Sequence, residues 1–485
     1  MNQCVRRRPF DILRRRHRDS GPKARGVSPT ESNLYQPDRS GAGHRKISVV
    51  CVDGVRIGTL GPRSTSVFGA LTPEADASES PISIVVGDSL GMLAEMPSSV
   101  SSIVLADLPA MASVPAIDVR ATNPVGWKVA FDPPLGSLQA PTRYSPDAGE
   151  LRRVHHVEDW TRASSDPARR AGELAKAAAA GGVVCVTDGG PELESRLGEQ
   201  LCALMTDVDR INSADDHDRE AISIAMRRSA LRDHSVRARL SQLLEAAGQD
   251  STLVPLVSVL VPTRRPDRLR DVVAAVASQS YPRVELVLGL HGEGFDGSEL
   301  EWLQQQGFPI QTVSVPEERC LGDVLNHALA AAQGSLIAKF DDDDLYGADH
   351  PWDLVLASEY SGAAMVGKVS EYVYLAGVDC TIRRFAGFGE RYIDPEKSSI
   401  AGGTALDRRE VLEAVGGWQA LSVGEDKALV SDIAAHGGDV YRTHGRGYLL
   451  IRHGDGHTWD VEDAYFLDQA QDRRPGCDLR FAGIG

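Results

Sequence analysis

Long apolar runs are missing from this chain of 485 residues. None approaches the roughly 18–20 residues that a membrane-spanning helix needs. No leader with charged, apolar and small-residue regions stands at the start. Cysteine is scarce as well. The seven present (Cys4, Cys51, Cys185, Cys202, Cys320, Cys380 and Cys477) are scattered, odd in number and form no C-x-x-C. That pattern argues against a zinc module and for a reducing compartment. Basic excess is also lacking: 52 Lys and Arg stand against 68 Asp and Glu, a formal charge of −16. A general nucleic-acid binder needs the opposite balance. Internal repeats of solenoid period are absent too.

What is there is globular. The hydrophobic share is 42%, and the length exceeds one ordinary core, so two or three domains are expected. Residues 1–46 depart from the acidic whole. "RRRPFDILRRRHRDSGPKARG" is basic, Ser, Gly and Pro follow it, and no helical or strand period persists. The segment reads as a disordered tail, with contact to anionic lipid or another partner as the alternative.

Residues 47–250 change character. "ISVVCVDGVRIGTLG", "ISIVVGD", "SSIVLADLP" and "GGVVCVTDGG" are short β-branched runs ended by Gly, Asp or Pro. Continuous rather than alternating, they suit strands of a parallel sheet buried on both faces. "PARRAGELAKAAAA" and "PELESRLGEQLCALM" read as helices around the last of them, which gives a β/α alternation. The stretch from Asp215 to Gly248 reads as one long amphipathic helix.

A second β/α run fills 251–485. "LVPLVSVLVPT", "PRVELVLGL", "IQTVSVP" and "SLIAKFDDDD" read as strands. "RPDRLRDVVAAVASQS", "GSELEWLQQQG" and "CLGDVLNHALAAAQG" read as helices between them.

The last of these strands ends on four adjacent aspartates, Asp341 to Asp344. Ligands of β/α sheets bind off the C-terminal strand ends. Side chains two apart on an extended strand share a side, so Asp341 and Asp343 would converge, with Asp342 opposite. Two converging carboxylates suit a hard divalent cation, Mg²⁺ or Mn²⁺, shared with a substrate phosphate. The plain alternative is a solvated acidic turn.

At these residues the chain resembles the family 2 glycosyltransferases, which have the GT-A fold. The resemblance runs through "VSVLVPTRRPDRLRDVVAAVASQSYPRVELVLGLHG", "CLGDVLNHALAAAQGSLIAKFDDDDLYGADHPWDLV", "SIAGGTALDRREVLEAVGGW" and "VGEDKALVSDI", from about 251 to the end. Any one motif is weak; the ordered set is specific. The resemblance implies an α/β fold whose GT-A domain has a mixed, mostly parallel sheet. It implies that Pro262, Thr263 and Arg264 or Arg265 line a nucleotide. Asp341 faces ribose or metal, Asp342 belongs to the same nucleotide-sugar site, and Asp343 binds the metal that bridges the diphosphate. Gly402 and Gly403 allow close backbone approach by acceptor and donor sugar. Asp426 is the catalytic base with Glu425 beside it; the alternative is an acidic first turn of a helix. His453 or His457 adds a metal or phosphate contact, and Arg452 a phosphate contact, against the alternative of a polar loop. The family commonly has Asp after the second strand. This chain has "LVLGLHGEG" there, so His291 or an inward-turned Glu293 is left to read the nucleotide. Lys339 and Lys368 are expected on the surface, with help in phosphate or acceptor binding as the alternative.

The earlier module is similar to one lobe of a GT-B glycosyltransferase through "ARRAGELAKAAAAGGVVCVTDGGPELESRLGEQL" and "RRSALRDHSVRARLSQLLEAAG". That likeness places Glu173 near a donor ribose. About 200 residues are too few for both lobes, so a single Rossmann-like scaffold, docking or regulatory lobe is expected. Adjacent His155 and His156 are not expected to chelate one metal.

The resemblance thus implies a metal-dependent inverting transferase. It would move a sugar from a nucleotide-diphosphate sugar to the hydroxyl of a glycan or glycolipid, in cell-envelope, polysaccharide or glycoconjugate synthesis. A cytoplasmic protein, with peripheral contact at the inner membrane face, would suit that work. The rivals are a non-catalytic nucleotide-sugar or glycan-binding adaptor and a nucleotidyltransferase.

Overall fold

The computed structural model describes residues 154–246, 253–386, 389–396, 400–453 and 461–485. It also describes the strands at 48–51, 82–86, 101–105 and 137–138, and short pieces at 111, 114–122 and 151. The basic tail, residues 1–46, lies outside the described residues.

Strands β1 (Ser48–Cys51), β2 (Ile82–Val86) and β3 (Ser101–Leu105) pair in parallel in that order. Strands β4 (Ser137–Leu138), β5 (His156–Glu158) and β6 (Val184–Cys185) form a second parallel set. Helix α1 (Pro167–Ala179) starts where Asp166 accepts the N–H groups of Ala168 and Arg169, with proline in its first turn. The next apolar stretch reads as one helix but is two, α2 (Pro191–Leu197) and α3 (Glu199–Thr206). Gly198 between them takes φ 84° and stops the ladder.

Helix α4 (Val208–Ser213) precedes a similar break. The expected single helix after Asp215 is split into α5 (Asp216–His234) and α6 (Val236–Ala246) by Ser235, whose backbone is extended. Nor is α5 a helix with one solvated face. Arg219, Glu220 and Arg227 are buried along with Ile222, Met226 and Leu231. Its charges meet partners more than a hundred residues away. Arg227 grips Glu390 through two nitrogens at 2.6 and 2.8 Å. Arg228 holds Asp349 and Asp353, each at 2.7 Å. Glu220 takes Arg383 at 2.6 Å. From α6, Arg237 reaches Glu359 at 2.7 Å.

The C-terminal part is built on an eight-stranded sheet. Its strands are β7 (Val257–Thr263), β8 (Val284–His291), β9 (Ile310–Val315), β10 (Leu336–Lys339), β12 (Met365–Gly367), β15 (Arg391–Tyr392), β16 (Leu406–Arg408) and β17 (Val440–Arg442). They lie in the order β15-β17-β12-β16-β10-β7-β8-β9. β10, β7, β8 and β9 are mutually parallel, and β16 runs antiparallel to β10 and β12. Helices α7 (Leu269–Ala277), α8 (Gly297–Gln304) and α9 (Leu321–Ala331) make the crossovers. Covered strands explain the unbroken apolar runs: Val257, Val259, Leu260 and Val261 are all fully buried. Gly289 lets α9 approach the sheet, for a Cβ there would meet Val324 at 2.6 Å.

A five-stranded sheet flanks this one. Its members are β11 (Leu345–Tyr346), β13 (Tyr372–Leu375), β14 (Cys380–Arg384), β18 (Tyr448–Arg452) and β19 (Ala470–Pro475). Helix α10 (His350–Ser361) connects β11 to the main sheet; α11 (Arg409–Val415) and α12 (Glu425–Ala435) follow β16. The short helices α13 (Asp463–Leu467) and α14 (Leu479–Ala482) complete the chain.

Candidate active site

Strand β10 stops at Lys339, so the aspartates occupy a turn rather than the strand itself. The Phe340 ring stacks on Tyr346, with centroids 4.0 Å apart, and folds the chain back. The Tyr346 hydroxyl then accepts the Asp341 N–H at 2.8 Å. The expected alternation of sides is lost in consequence. Neighbouring Asp342 and Asp343 both face Arg265, whose Nη1 donates to Asp342 Oδ1 at 2.9 Å and Asp343 Oδ2 at 2.8 Å. Asp344 turns the other way. It is buried, accepting the Tyr448 hydroxyl at 2.7 Å and the Ile451 N–H at 2.9 Å, and so ties the turn to β18. Burial, then the charges of Asp341 and Asp343, push its carboxyl well above the usual range.

The loop after β7 supports the turn from one side. Pro262 is half-buried and Thr263 buried. The Thr263 hydroxyl donates to Asp342 at 2.5 Å and accepts the Arg265 N–H at 3.0 Å. Burial pushes the Asp342 carboxyl up, against the pull of Thr263 and Arg265. Arg264 does something else: its Nε donates to His291 Nδ1 at 3.0 Å. His291 Nε2 faces the Arg319 carbonyl at 2.9 Å, which makes that nitrogen the donor and Nδ1 the acceptor. His291 is therefore a buried link between two loops, and Glu293 is exposed rather than turned inward.

The other side comes from α12 and the loop before β16. Glu425 and Asp426 open α12, as their position after Gly424 suggests. Asp426 points across the sheet end to Lys339, whose Nζ lies 2.6 Å from its Oδ2. The same ammonium is 3.4 Å from Asp341 Oδ1 and 3.4 Å from Glu425 Oε1. Lys339 is therefore buried rather than a surface lysine. Burial alone would lower its pKa, but Asp341, Asp426 and Glu425 outweigh that and keep it charged. Burial raises Asp341 and Glu425 in turn. Gly402 and Gly403 lie against these acids. A Cβ on Gly402 would coincide with the Asp426 carboxylate, and one on Gly403 would stand 2.5 Å from Asp341 Oδ2.

Two further residues were hidden from sequence reasoning. Asp407 faces Ile337 in the β10–β16 register, which puts it on the Lys339 side of the sheet. Burial and then Asp426 push its carboxyl well above the usual range. Lys368, also expected outside, is fully buried, with Nζ 2.8 Å from Asp353. The signal for Lys339 was available: a lysine inside "LIAKF", a strand otherwise apolar on both faces, needs buried acids.

His453 is exposed just after β18; His457 lies outside the described residues. Glu173 is half-buried on α1. His155 and His156 share a ring-to-ring hydrogen bond at 3.0 Å, and His155 also reaches the Ala214 carbonyl at 2.9 Å. Among the described residues, Asp215, His217 and Asp218 bring three ligand atoms within 4.8 Å of one another. That group is the cap of α5, where Asp215 accepts the Asp218 N–H at 2.9 Å.

Among the described residues, the rim thus gathers Asp341, Asp342, Asp343, Glu425 and Asp426 around Lys339 and Arg265. That excess of acid suits a divalent cation; Asp341, at 36% the most exposed of the five side chains, and Asp343 on the same turn are the candidate ligands. Asp426 Oδ1 is buried with no hydrogen-bond partner among the described residues. A buried, unpaired carboxylate oxygen is costly unless a donor arrives.

A parallel-core mixed sheet carrying this acid cluster at its C-terminal rim defines an α/β domain of the GT-A kind. Residues 255–470 match the family model described as "Glycosyltransferase like family 2". A comparison with curated proteins gave no match. Among solved structures, the mannosyltransferase PcManGT from Pyrobaculum calidifontis, in complex with GDP-Man and Mn²⁺, is 20% identical with a TM-score of 0.33, over 42% of this chain and 59% of that one. TarS 1–349 of S. aureus in complex with UDP-GlcNAc is 13% identical with a TM-score of 0.34, over 44% and 64%. The chain thus spans about 60% of the length of these structures. No described helix is long and apolar enough to cross a membrane.

Proposed function

We propose that this chain is a metal-dependent, inverting glycosyltransferase that moves a sugar from a nucleotide-diphosphate sugar to an acceptor hydroxyl. The observation that carries this reading is the meeting of two acid groups far apart in sequence. The 341–343 turn and the Glu425–Asp426 helix start come to one ammonium at one sheet rim.

Each group has its own task. Asp341 and Asp343 would hold Mn²⁺ or Mg²⁺, with His453 or His457 as a further ligand. Bound there, the cation offsets the charge that develops on the leaving nucleoside diphosphate. Pro262, Thr263, Arg264 and Arg265 line the nucleotide side, and Asp342 fixes Arg265 there. His291 braces Arg264. Gly402 and Gly403 give the sugar and acceptor close access to backbone. Asp426 takes the proton of the acceptor hydroxyl as the hydroxyl oxygen attacks the anomeric carbon. The bond from that carbon to the phosphate oxygen breaks, and its electron pair leaves with the diphosphate. Glu425 stands behind the base. Residues 47–250 serve as a scaffold lobe, a role supported by the buried ion pairs of α5 with Glu390, Asp353 and Arg383.

The test is to incubate the protein with a panel of nucleotide sugars and Mn²⁺. Release of nucleoside diphosphate supports the reading. Release of pyrophosphate would mean nucleotidyltransfer, and binding without turnover would mean an adaptor.

A further inference from the structure

We infer that Lys339 is a positioning residue for the base: its ammonium clamps Asp426 by Oδ2 and so fixes the orientation of its carboxylate beside the acceptor. This rests on the transferase reading above.

Three contacts restrict Asp426. Lys339 Nζ holds Oδ2 at 2.6 Å. The backbone of Gly402 closes one side, since there is no room for a Cβ between it and the carboxylate. Oδ1 is buried and has no hydrogen-bond partner among the described residues. Both oxygens are therefore confined, and the carboxylate is held in one orientation. A carboxylate held this way spends no energy on reorientation when the hydroxyl arrives.

Lys339 is itself immobile. Its side chain is 3% exposed. It leaves the strand that delivers the acidic turn, and its N–H donates to the Ala405 carbonyl at 3.0 Å, between the Gly402–Gly403 loop and β16. The ammonium also touches Asp341 and Glu425, each at 3.4 Å. One cation thus spans the donor side, through Asp341, and the acceptor side, through Asp426. Asp407, on the same sheet face, adds no positive charge, so among the described residues Lys339 is the one cation that contacts Asp426.

The experiment compares Lys339→Met, Lys339→Arg, Asp426→Asn and the Lys339→Met/Asp426→Asn pair. Turnover, nucleoside diphosphate affinity by calorimetry and thermal unfolding are measured on each. Lys339→Met should lower kcat roughly 100-fold, the cost of a misplaced reacting group. Its loss in kcat should exceed its loss in affinity for nucleoside diphosphate by at least about tenfold, since the ammonium is closer to Asp426, at 2.6 Å, than to Asp341, at 3.4 Å. Lys339→Arg, which keeps the charge, should recover at least about tenfold of that loss. The double variant should be no slower than Asp426→Asn, because the two act as one unit. Should Lys339→Met unfold early, the Arg variant and the double-variant comparison, per folded molecule, still decide. Wild-type kcat in Lys339→Met, or independent losses that multiply in the pair, overturns the inference while the transferase reading stands. Full turnover by Asp426→Asn removes Asp426 from the step and the inference with it, whereas no turnover by the wild-type protein with any nucleotide sugar overturns the transferase reading.

Discussion

Arg265 donates to Asp343 at 2.8 Å, and that pairing sets the resting state of the acidic turn. A cation that binds Asp343 must displace or share with the guanidinium. Arg265, still held by Asp342 at 2.9 Å, can then turn its other donors to an incoming phosphate, for which its fork is suited. Asp343→Ala should remove this exchange. The pair is partly exposed, so its loss costs below about 1 kcal/mol of stability. Thermal-shift assays should show the variant melting close to wild type, with the Mn²⁺-dependent stabilisation by nucleotide sugar gone. Retention of that stabilisation would remove Asp343 from the metal site.

Asp426→Asn tests the base. The amide keeps the shape and loses the proton affinity. Donor binding should persist while transfer falls by about 10²–10⁴, the range for a general base. Initial rates of nucleoside diphosphate release, with acceptor at saturation, give the answer. Undiminished transfer would exclude the residue from the step.

Gly402→Ala tests the fit of the rim. The added methyl would occupy the place of the Asp426 carboxylate. The side chain, at the start of α12, must swing away from Lys339. We expect kcat to drop about 100-fold, as for a reacting group displaced by about 1 Å, while the protein stays folded by circular dichroism. Unchanged kcat would mean that Asp426 is free to move without loss.

A pH dependence arises where α5 meets the smaller sheet. Glu220 and Glu371 share the Arg383 guanidinium, each at 2.6 Å. Burial first, then the Glu371 charge, pushes the Glu220 carboxyl up to about 7, against Arg383 and Arg446. In the unfolded chain the group titrates near 4.3. Between these values the folded state binds the extra proton, so this carboxyl favours the fold at low pH. Its contribution is lost as pH rises toward 7. Glu220→Gln should flatten the fall in melting temperature between pH 5 and 7 relative to wild type. Parallel pH curves for the two proteins would contradict the assignment.

Much of this was legible in the chain. The unbroken runs "VSVLVP" and "VELVLGL" could only be strands covered on both faces, and they are β7 and β8. The acids 341–343 and 425–426 were readable as one site because their order matches a family. What was not legible depends on contacts between distant residues. The turn that gives Asp342 and Asp343 a common partner is made by Phe340 stacking on Tyr346. The burial of Lys339 and Lys368 follows from acids 86 and 15 residues away. The two-sided burial of α5 cannot be seen in its own period, because its polar face is matched by Glu390, Asp353 and Arg383 from the other end of the chain. The place of His291, between Arg264 and the Arg319 carbonyl, likewise depends on two loops.

The central claim is that a cation on the acidic turn steadies a departing diphosphate. Calorimetric titration of nucleoside diphosphate into the wild-type protein, once with Mn²⁺ and once with chelator, measures it directly. The account predicts binding at least about tenfold tighter with Mn²⁺, the least that one charge-assisted contact is worth. Equal affinity in both titrations would contradict it.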